Sequence, residues 1–319
     1  MDQPALMLRA DDLSKLGLGF TAPNPIVGCI IVDSNNNVIA EEFHNGGAHA
    51  ESKAINSIKV IPPGATLFTT LEPCNHQGKT EPCSDLIIKS GIKNVIYSIT
   101  DPNSVAQGGS KKLREAGLNV TSGVLSEKVE FTNRHWLQKI KTGRPYFTWK
   151  IAMTLDGKIA ALDGSSKWIT SVESRDEVSK LRSQADAVLI GTGTALADNP
   201  SLTVRDVERE SFEFKPVRVI LGNREIPLDS KILDKSAETI QIKGSDPSEL
   251  MELAKARGWN QILVEAGPTL TSAFLKAGLF DEVFLYQAPT LLGSGLDFAS
   301  NLGIESLNQR LDLDLIAAD

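Results

Sequence analysis

The chain of 319 residues carries 33 Lys and Arg against 40 Asp and Glu, a formal net charge of -7 at pH 7. An acidic protein of this kind offers no general phosphate-binding surface, so we expect no nucleic-acid partner. Residues 1–10 lack the basic start and apolar core of a signal peptide, and no apolar run approaches the length of a membrane span. The three cysteines suit reduced thiols better than a disulfide framework, so we expect a cytoplasmic protein without a membrane partner.

The first half of the chain alternates short apolar runs with helical patterns. Strands are predicted at 26–32, 38–40, 66–70, 94–99 and 119–124, and helices at 49–58, 84–89 and 111–116. This alternation predicts a largely parallel sheet with helices on both faces. Cys29 lies inside the first apolar run and is predicted to be a small buried hydrophobic residue.

A domain boundary is predicted near Thr142-Gly143-Arg144-Pro145, which gives domains at 1–144 and 145–319. The basic segment 139–141, just before it, is predicted to be a solvated helix face. The second domain repeats the α/β pattern, with strands predicted at 146–152, 187–190, 217–221, 261–264 and 282–287, and helices at 173–183, 247–257 and 270–277.

Four side chains of the first domain make up the donor set of a catalytic zinc site. They are His49 and Glu51 in the segment His-Ala-Glu, Cys74 after Glu-Pro, and Cys83 further along. One imidazole and two thiolates leave the fourth tetrahedral position to a water whose pKa zinc lowers, and Glu51 is placed to move its proton. His49 and Glu51 can reach one water only if His49 lies at the start of its helix. A structural zinc site and a chance spacing are the alternatives.

Two predicted strands of the second domain end in glycine turns that lead into helices. They are Gly191-Thr192-Gly193 and Ala266-Gly267-Pro268. At the carboxyl edge of an α/β sheet, such turns let backbone amides approach the phosphates of a nucleotide. The alternative is a tight turn that needs a glycine with positive φ.

Together these motifs resemble a known family. The pattern H-x-E followed by P-C resembles the zinc-dependent cytidine-deaminase superfamily, although PCNHQGKTEPC at 73–83 is longer than its P-C-x-x-C. That stretch, TAPNPIVGC at 21–29 and DPN at 101–103 resemble the deaminase half of the bacterial riboflavin-biosynthesis deaminase/reductases. Their reductase half, similar to dihydrofolate reductase, resembles 150–158, 166–170, 198–205 and 265–269. The implied fold is an N-terminal cytidine-deaminase-like α/β/α domain plus a C-terminal dihydrofolate-reductase-like α/β domain.

The resemblance implies two consecutive steps of riboflavin synthesis. The first is hydrolytic deamination of 2,5-diamino-6-(5-phosphoribosylamino)pyrimidin-4-one, and the second is reduction of the ribosyl chain to ribityl by hydride from NADPH. The implied cofactors are Zn²⁺ and NADPH, and the implied partner is the small phosphoribosyl pyrimidine. A homodimer or higher homo-oligomer through the second domain is also expected, as is one more strand beyond Asp319.

The resemblance further implies roles for individual residues. Zinc would be held by His49, Cys74 and Cys83, with Glu51 as the catalytic proton carrier. Candidates for binding the deaminase substrate are Asn24, His44, His76, Lys79, Asp101 and Asn103. Candidates for lining the NADPH site are Ala152, Trp168, Thr194, Asp198, Gly267, Pro268, Thr269, Leu270, Thr271, Ser272 and Ala273. Candidates for binding the reductase substrate are Lys150, Asp156, Ser166, Leu202, Arg205 and Glu265.

Two of these cations suit phosphate groups. Arg205 would pair with the substrate phosphate in a bidentate manner. Lys79 would act on a phosphate as a point charge, and a solvated lysine is the alternative for it.

Two other functions are compatible with parts of the sequence. One is a deaminase fused to a catalytically impaired domain that only binds nucleotide or supports a dimer, and the presence of Lys150, Asp156, Arg205 and Glu265 argues against it. The other is a nucleic-acid base deaminase. The acidic charge and the lack of an aromatic-rich basic strip argue against that function.

Overall fold

The computed structural model describes residues 2–78, 81–167, 169–204 and 215–318. The helices of the N-terminal domain are α1 (Gln3–Ser14), α2 (Ala50–Ser57), α3 (Cys83–Ser90), α4 (Gly109–Glu115), α5 (Ser126–Thr132) and α6 (Arg134–Thr142). Its strands are β1 (Gly28–Val32), β2 (Val38–Phe43), β3 (Thr66–Leu71), β4 (Asn94–Ile99) and β5 (Asn119–Ser122).

The first sheet has the strand order β2-β1-β3-β4-β5 and is mixed. Strand β1 pairs antiparallel with both β2 and β3, whereas β3, β4 and β5 are parallel. The prediction of a largely parallel sheet is therefore wrong for the β1–β2 edge. There, Asp33 closes a hairpin by accepting hydrogen bonds from the N–H groups of Asn35 and Asn37.

The C-terminal domain begins with β6 (Tyr146–Thr154) and β7 (Lys158–Ala160). Its helices are α7 (Val172–Gln184), α8 (Thr192–Asp198), α9 (Ser248–Arg257) and α10 (Pro268–Lys276). Its remaining strands are β8 (Ala187–Gly191), β9 (Val217–Leu221), β10 (Thr239–Ile242), β11 (Gln261–Val264), β12 (Glu282–Ala288) and β13 (Leu296–Asp297).

The second sheet is parallel in every pair described, with the order β10-β9-β8-β11-β6-β12. Strands β8 and β11 are parallel neighbours, so the loops that follow them lie at the same edge of the sheet. Since ligands of open α/β sheets bind beyond the carboxyl ends of the strands, this topology brings both glycine turns to one place. The apolar runs of β8 and β11 are fully buried, as strands covered on both faces must be.

Each sheet separates two apolar cores. Helix α1, which has no strong periodic pattern and was not predicted, covers one face of the first sheet with Leu6, Met7 and Ala10. The larger core lies on the other face, between the sheet and α2, α3 and α4. Cys29 is completely buried there, as predicted.

Helix α6 and the residues after it join the two domains. Arg134 on α6 donates two hydrogen bonds, of 3.0 and 2.9 Å, to the carboxylate of Glu282 on β12. Arg144 donates two of 2.7 Å to Asp281. The ammonium group of Lys139 donates to Oδ1 of Asn260 at 2.9 Å. The prediction of a solvated face at 139–141 is thus wrong for Lys139, whose partners belong to the other domain.

The described helices include none that combines the length and the apolar character needed to cross a membrane.

Candidate active sites

Three potential metal ligands come together at one edge of the first sheet. His49 is the N-cap of α2, Cys74 follows β3, and Cys83 is the first residue of α3. Nδ1 of His49 lies 3.3 Å from Sγ of Cys83 and 3.5 Å from Sγ of Cys74, and all three ligand atoms lie within 4.8 Å of one another. Ligand atoms on a tetrahedral zinc with ordinary Zn–N and Zn–S bonds are about 3.6 Å apart. The donor types and their spacing therefore fit zinc.

The starts of two helices place these side chains. His49 is extended, with φ -64° and ψ 153°, because an N-cap residue lies just outside the helical region. Glu51 consequently falls in the first turn of α2, where it is 4% exposed. Pro82 precedes Cys83 in the same way at α3. The partial positive charge of both helix N-termini favours thiolate and carboxylate groups.

Burial and hydrogen bonds set the protonation of this site. Burial raises the pKa of Glu51 to about 7, although the nearby His49 imidazole opposes the shift. The thiol of Cys83 donates a hydrogen bond that lowers the pKa of Cys74 to about 4, and the same interaction raises the pKa of Cys83. This interaction favours the thiolate form of Cys74, and the raised pKa of Glu51 suits it to exchanging a proton near neutral pH.

Two predicted substrate residues follow the neighbouring strand β4. Asp101 is 4% exposed, and burial raises its pKa. Its carboxylate accepts a hydrogen bond of 2.8 Å from the N–H of Asn103. Because β3 and β4 are parallel, their carboxyl ends bring Asp101 close enough to Cys74 for the thiolate to act on the pKa of Asp101.

The other predicted substrate residues lie in loops. The ring of His44 meets that of His49 edge to face, with centroids 5.5 Å apart, and its buried Nε2 has no hydrogen-bond partner among the described residues. Within the same described part of the chain, the buried Nδ1 of His76 is also unpaired. Asn24 is exposed in the loop before β1. Lys79 lies outside the described residues.

Glu72 is a structural contributor to this site that sequence reasoning left without a role. It is 3% exposed, and its carboxylate accepts hydrogen bonds from the N–H groups of Asp101 at 3.3 Å and Ser110 at 2.9 Å. A carboxylate next to Pro73-Cys74 at the end of a buried strand was the available signal. Glu72 therefore connects the segment that leads to the metal ligand Cys74 with the residue after β4 and with the start of α4.

In the C-terminal domain the two glycine turns meet. The N–H of Gly267 donates to Oγ1 of Thr194 at 3.2 Å. Gly191 and Gly267 are the N-caps of α8 and α10, with φ of -87° and -74°. Positive φ is therefore not what these two positions require. Turns at helix N-termini leave amides free for anionic groups, which fits a nucleotide phosphate.

Beside these turns a buried carboxylate is held between two cations. Glu265 follows β11, and Oε2 lies 3.0 Å from Nζ of Lys150 on β6. Arg182 on α7 donates to both oxygens of Glu265, at 2.5 and 2.9 Å. Burial alone would raise the pKa of Glu265, but the charges of Arg182 and Lys150 lower it to about 2. Lys150 and Glu265 were predicted, whereas Arg182 was missed because its partner is distant in sequence.

Asp156 has its carboxylate turned to the protein. It accepts hydrogen bonds from Oγ1 of Thr154 at 2.6 Å and from the N–H groups of Leu292 at 3.2 Å and Gly293 at 2.7 Å. These bonds anchor the loop after β12. In this structure Asp156 therefore shapes the rim of the site through that loop.

The remaining predicted residues surround the same edge. The hydroxyl of Ser166 donates to Asp198 at 3.2 Å, and Leu202 is 6% exposed. Ala152 lies on β6, and Pro268, Thr269, Leu270, Thr271, Ser272 and Ala273 form the first turns of α10. Trp168 and Arg205 lie outside the described residues.

Arg224 is a further cation near the glycine turns. It follows β9, is exposed, and its Nε lies 3.4 Å from Oγ1 of Thr192. A Cβ placed on Gly193 would come within 2.8 Å of Nη2 of Arg224, so Gly193 leaves room for the guanidinium. The sequence carried no signal for Arg224, because the contact joins two separate loops.

Comparison with known proteins gives a match in each half of the chain. Residues 2–99 match the zinc-binding region of cytidine and deoxycytidylate deaminases, and residues 145–317 match the RibD C-terminal domain. The riboflavin biosynthesis protein RibD of Mycobacterium tuberculosis is 41% identical over 92% of this chain and 87% of its own. RibD of Escherichia coli is 36% identical over 92% and 89%.

Two solved structures agree over nearly the whole chain. The deaminase/reductase of Thermotoga maritima gives a TM-score of 0.86 at 38% identity and covers 95% of this chain and 92% of its own. RibD of Acinetobacter baumannii gives a TM-score of 0.89 at 37% identity, covering 98% and 94%.

Fold and site thus define a bifunctional enzyme, a zinc-dependent deaminase joined to an NADPH-dependent reductase. The chain belongs to the RibD family of riboflavin biosynthesis. The expected fold class and cofactors are confirmed, and the reading as a deaminase with an impaired second domain is not favoured.

Proposed function

We propose that this enzyme first deaminates 2,5-diamino-6-(5-phosphoribosylamino)pyrimidin-4-one and then reduces the ribosyl chain of the product. The relative from Thermotoga maritima is described as a diaminohydroxyphosphoribosylaminopyrimidine deaminase and 5-amino-6-(5-phosphoribosylamino)uracil reductase. The observation that carries the proposal is the cluster of His49, Cys74 and Cys83 with the buried Glu51 beside it. We assign the two reactions to domains at 1–144 and 145–319, since α6 ends at Thr142 and β6 begins at Tyr146.

In the deaminase, His49, Cys74 and Cys83 would hold zinc, which when bound supplies a water of lowered pKa. Glu51 takes the proton from the attacking water and delivers it to the departing amino group, so that water replaces the amine as oxygen and ammonia leaves. A carboxyl with a pKa of about 7 is suited to both transfers near neutral pH.

Six residues are proposed to hold the substrate of the deaminase. The loops after β3 and β4 supply His76, Asp101 and Asn103, and the loops beside β1 and β2 supply Asn24 and His44. Lys79 is proposed from the sequence motif alone. The unpaired Nε2 of His44 and the ring contact with His49 support a role for His44 at the pyrimidine.

In the reductase, NADPH supplies the hydride, and the protein provides orientation and electrostatics. We propose that the turns at Gly191 and Gly267, with α8 and the start of α10, hold the cofactor. Lys150, Glu265 and Arg182 form a partly buried cluster with two positive charges and one negative charge, which suits an anionic sugar phosphate. Ser166, Leu202 and Asp156 complete the substrate side, and Arg205 is proposed to bind the phosphate.

We also propose that Arg224 contacts the 2′-phosphate of NADPH. A guanidinium near a glycine turn is the usual means of accommodating that group. The variant Arg224→Ala should raise the KM for NADPH about tenfold and leave the KM for NADH within twofold. Steady-state kinetics with both cofactors measures this, and equal increases for the two would contradict the assignment.

The test of the overall proposal is mass spectrometry of the products formed from the diaminopyrimidine phosphate. Without NADPH, the substrate should exchange one amino group for oxygen. With NADPH, the product should gain two further hydrogens. Deamination that stops there, with NADPH unchanged, would contradict the reductase assignment.

Compartment and assembly also belong to the proposal. We propose the cytoplasm, because the two thiol ligands and the free Cys29 require reducing conditions. We propose a homo-oligomer through the second domain, supported by the position of β12 at the end of the described sheet and by exposed leucines at 311, 313 and 315. Light scattering on the purified protein measures the oligomeric state.

A further inference from the structure

The loop at 21–25 lies at the edge of the first sheet that carries the metal ligands. Strand β1 is antiparallel to β3, with Cys29 opposite Thr69, and the N–H of Gly28 donates to Oγ1 of Thr70 at 3.1 Å. The chain just before β1 therefore emerges where β3 ends and the segment to Cys74 begins. Asn24, which is proposed to bind the deaminase substrate, stands in this loop.

A residue of the other domain holds the loop. Nδ2 of Asn260 donates to the backbone carbonyl of Asn24 at 2.9 Å. Nζ of Lys139 donates to Oδ1 of the same side chain at 2.9 Å, which fixes the amide with its N–H₂ group toward Asn24. The N–H of Asn260 donates to Oδ2 of Asp186 at 2.7 Å. Asn260 is 8% exposed, so water competes little for these bonds.

The backbone beside Asn260 also packs against the loop. Gly258 has φ +70°, and a Cβ placed on it would lie 3.0 Å from Cβ of Pro23. The turn between α9 and β11 thus approaches the loop closely at two points, through Gly258 and through Asn260.

We propose that Asn260 is a positioning residue for the deaminase reaction, acting from the reductase domain through the backbone of Asn24. This rests on the proposed function, in which Asn24 binds the deaminase substrate. Without the bond from Asn260, the loop must be ordered each time substrate binds, and that loss of entropy weakens binding. Proton transfer by Glu51 does not involve the loop, so we expect the kcat for deamination of bound substrate to be unaffected.

Asn260→Asp is the sharpest variant for the full-length enzyme. It keeps the size of the side chain and the partner for Lys139, but it replaces the donor to Asn24 with an oxygen. The KM for deamination should rise about tenfold, with kcat within twofold. The KM and kcat for reduction of separately supplied deaminated intermediate should stay within twofold, which also reports that the protein is folded. Asn260→Ala removes the donor without adding charge and should raise the same KM.

Two further variants separate this role from others. Arg134→Gln breaks a contact between the domains without touching the loop, so the KM for deamination should stay within twofold. Asn24→Ala tests the proposed function itself. An unchanged KM in Asn24→Ala would remove the proposed role of Asn24. A raised KM in Asn24→Ala with unchanged KM in both Asn260 variants would overturn the inference alone, as would equal increases in Arg134→Gln and Asn260→Asp.

Discussion

The carboxyl group of Glu51 can carry the proton in the proposed deamination because burial raises its pKa to about 7, close to neutral pH. It is buried in the first turn of α2, beside the imidazole and thiol groups of the metal site. In water the same carboxyl would be fully ionised at neutral pH and would be a poor proton donor to the departing amine.

Glu51→Gln keeps the shape of this side chain and removes its ability to carry a proton. Deamination should fall about 10³-fold. Zinc content, measured by metal analysis, should equal that of the wild type, because Glu51 is not among the ligands. Reduction of supplied intermediate should be unchanged. A wild-type rate of deamination in this variant would refute the role of Glu51.

Asp186 is a buried carboxyl whose ionisation opposes folding. Its Oδ2 accepts hydrogen bonds from the N–H groups of Asn260 and Gln261, at 2.7 and 2.9 Å, yet burial raises its pKa to about 6. The folded protein therefore binds this proton more tightly than the unfolded chain does. The protonated carboxyl group of Asp186 therefore adds to the free energy of unfolding at low pH. This contribution is lost as the pH rises from about 4 to about 6.

Asp186→Asn retains an acceptor for both N–H groups and removes the titration. The variant should be more stable than the wild type by about 2 to 3 kcal/mol at pH 7.5, with a smaller difference at pH 4. Urea unfolding at the two pH values measures this. A stability difference that is the same at both would show that the ionisation of Asp186 is not the cause.

At the scale of elements, periodicity predicted every strand of the first sheet and every strand of the second sheet except β10. It also predicted the helices α2, α3, α4, α7, α9 and α10. Helix α1 was missed because Gln3–Ser14 mixes buried Leu6 and Met7 with a buried Asp11 and no clear apolar stripe. The metal site was predictable because its residues lie in short local motifs, with His49, Glu51 and Cys83 at helix starts and Cys74 just after β3. The loops were harder to place, because their contacts depend on how neighbouring strands pair.

The start of α4 fixes the loop that carries Cys74. A Cβ on Gly109 would lie 1.7 Å from the carbonyl oxygen of Pro73, so only glycine fits there. Gly109→Ala should displace this loop, lower the unfolding free energy by about 2 kcal/mol and weaken zinc binding about tenfold. Chelator competition and thermal denaturation measure the two effects.

Gly47→Ala is the matched control, since its Cβ would meet nothing closer than 3.9 Å. It should bind zinc like the wild type. If both variants lose zinc equally, the close approach of Gly109 to Pro73 is not what positions the loop that carries Cys74.

At the scale of the whole molecule, the contacts between the domains were beyond sequence reasoning. Lys139 looks like a surface residue of a basic segment until its partner Asn260 is placed opposite it by the fold. Within the C-terminal domain, Arg182 and Glu265 are likewise far apart in sequence and are brought together only by the fold. The role of a polar residue can be predicted from sequence when its partner is a few residues away. The partners of these residues are much farther along the chain.

The pair of Arg144 and Asp281 should contribute measurably to the stability of the full chain. Asp281 also accepts a hydrogen bond of 2.8 Å from the N–H of Phe147, and its side chain is 12% exposed. Asp281→Ala leaves the partly buried Arg144 without a carboxylate partner, which should lower the unfolding free energy by about 3 kcal/mol. Denaturant unfolding of the whole protein measures this.

An exposed pair provides the comparison. Asp297 contacts Lys158 with its side chain 63% exposed, so Asp297→Ala should cost less than about 1 kcal/mol. Equal losses in Asp281→Ala and Asp297→Ala would show that burial of the pair between the domains has no effect.

The short connection between α6 and β6 is not the sole link between the two catalytic halves. Arg134, Lys139 and Arg144 all bind partners in the second domain, so side-chain contacts also hold the two domains together. A protease that cuts next to Gly143 should therefore yield two fragments that still travel as one particle. The fusion of two enzymes in one polypeptide then guarantees their equal supply, while the side-chain contacts hold the two halves against each other.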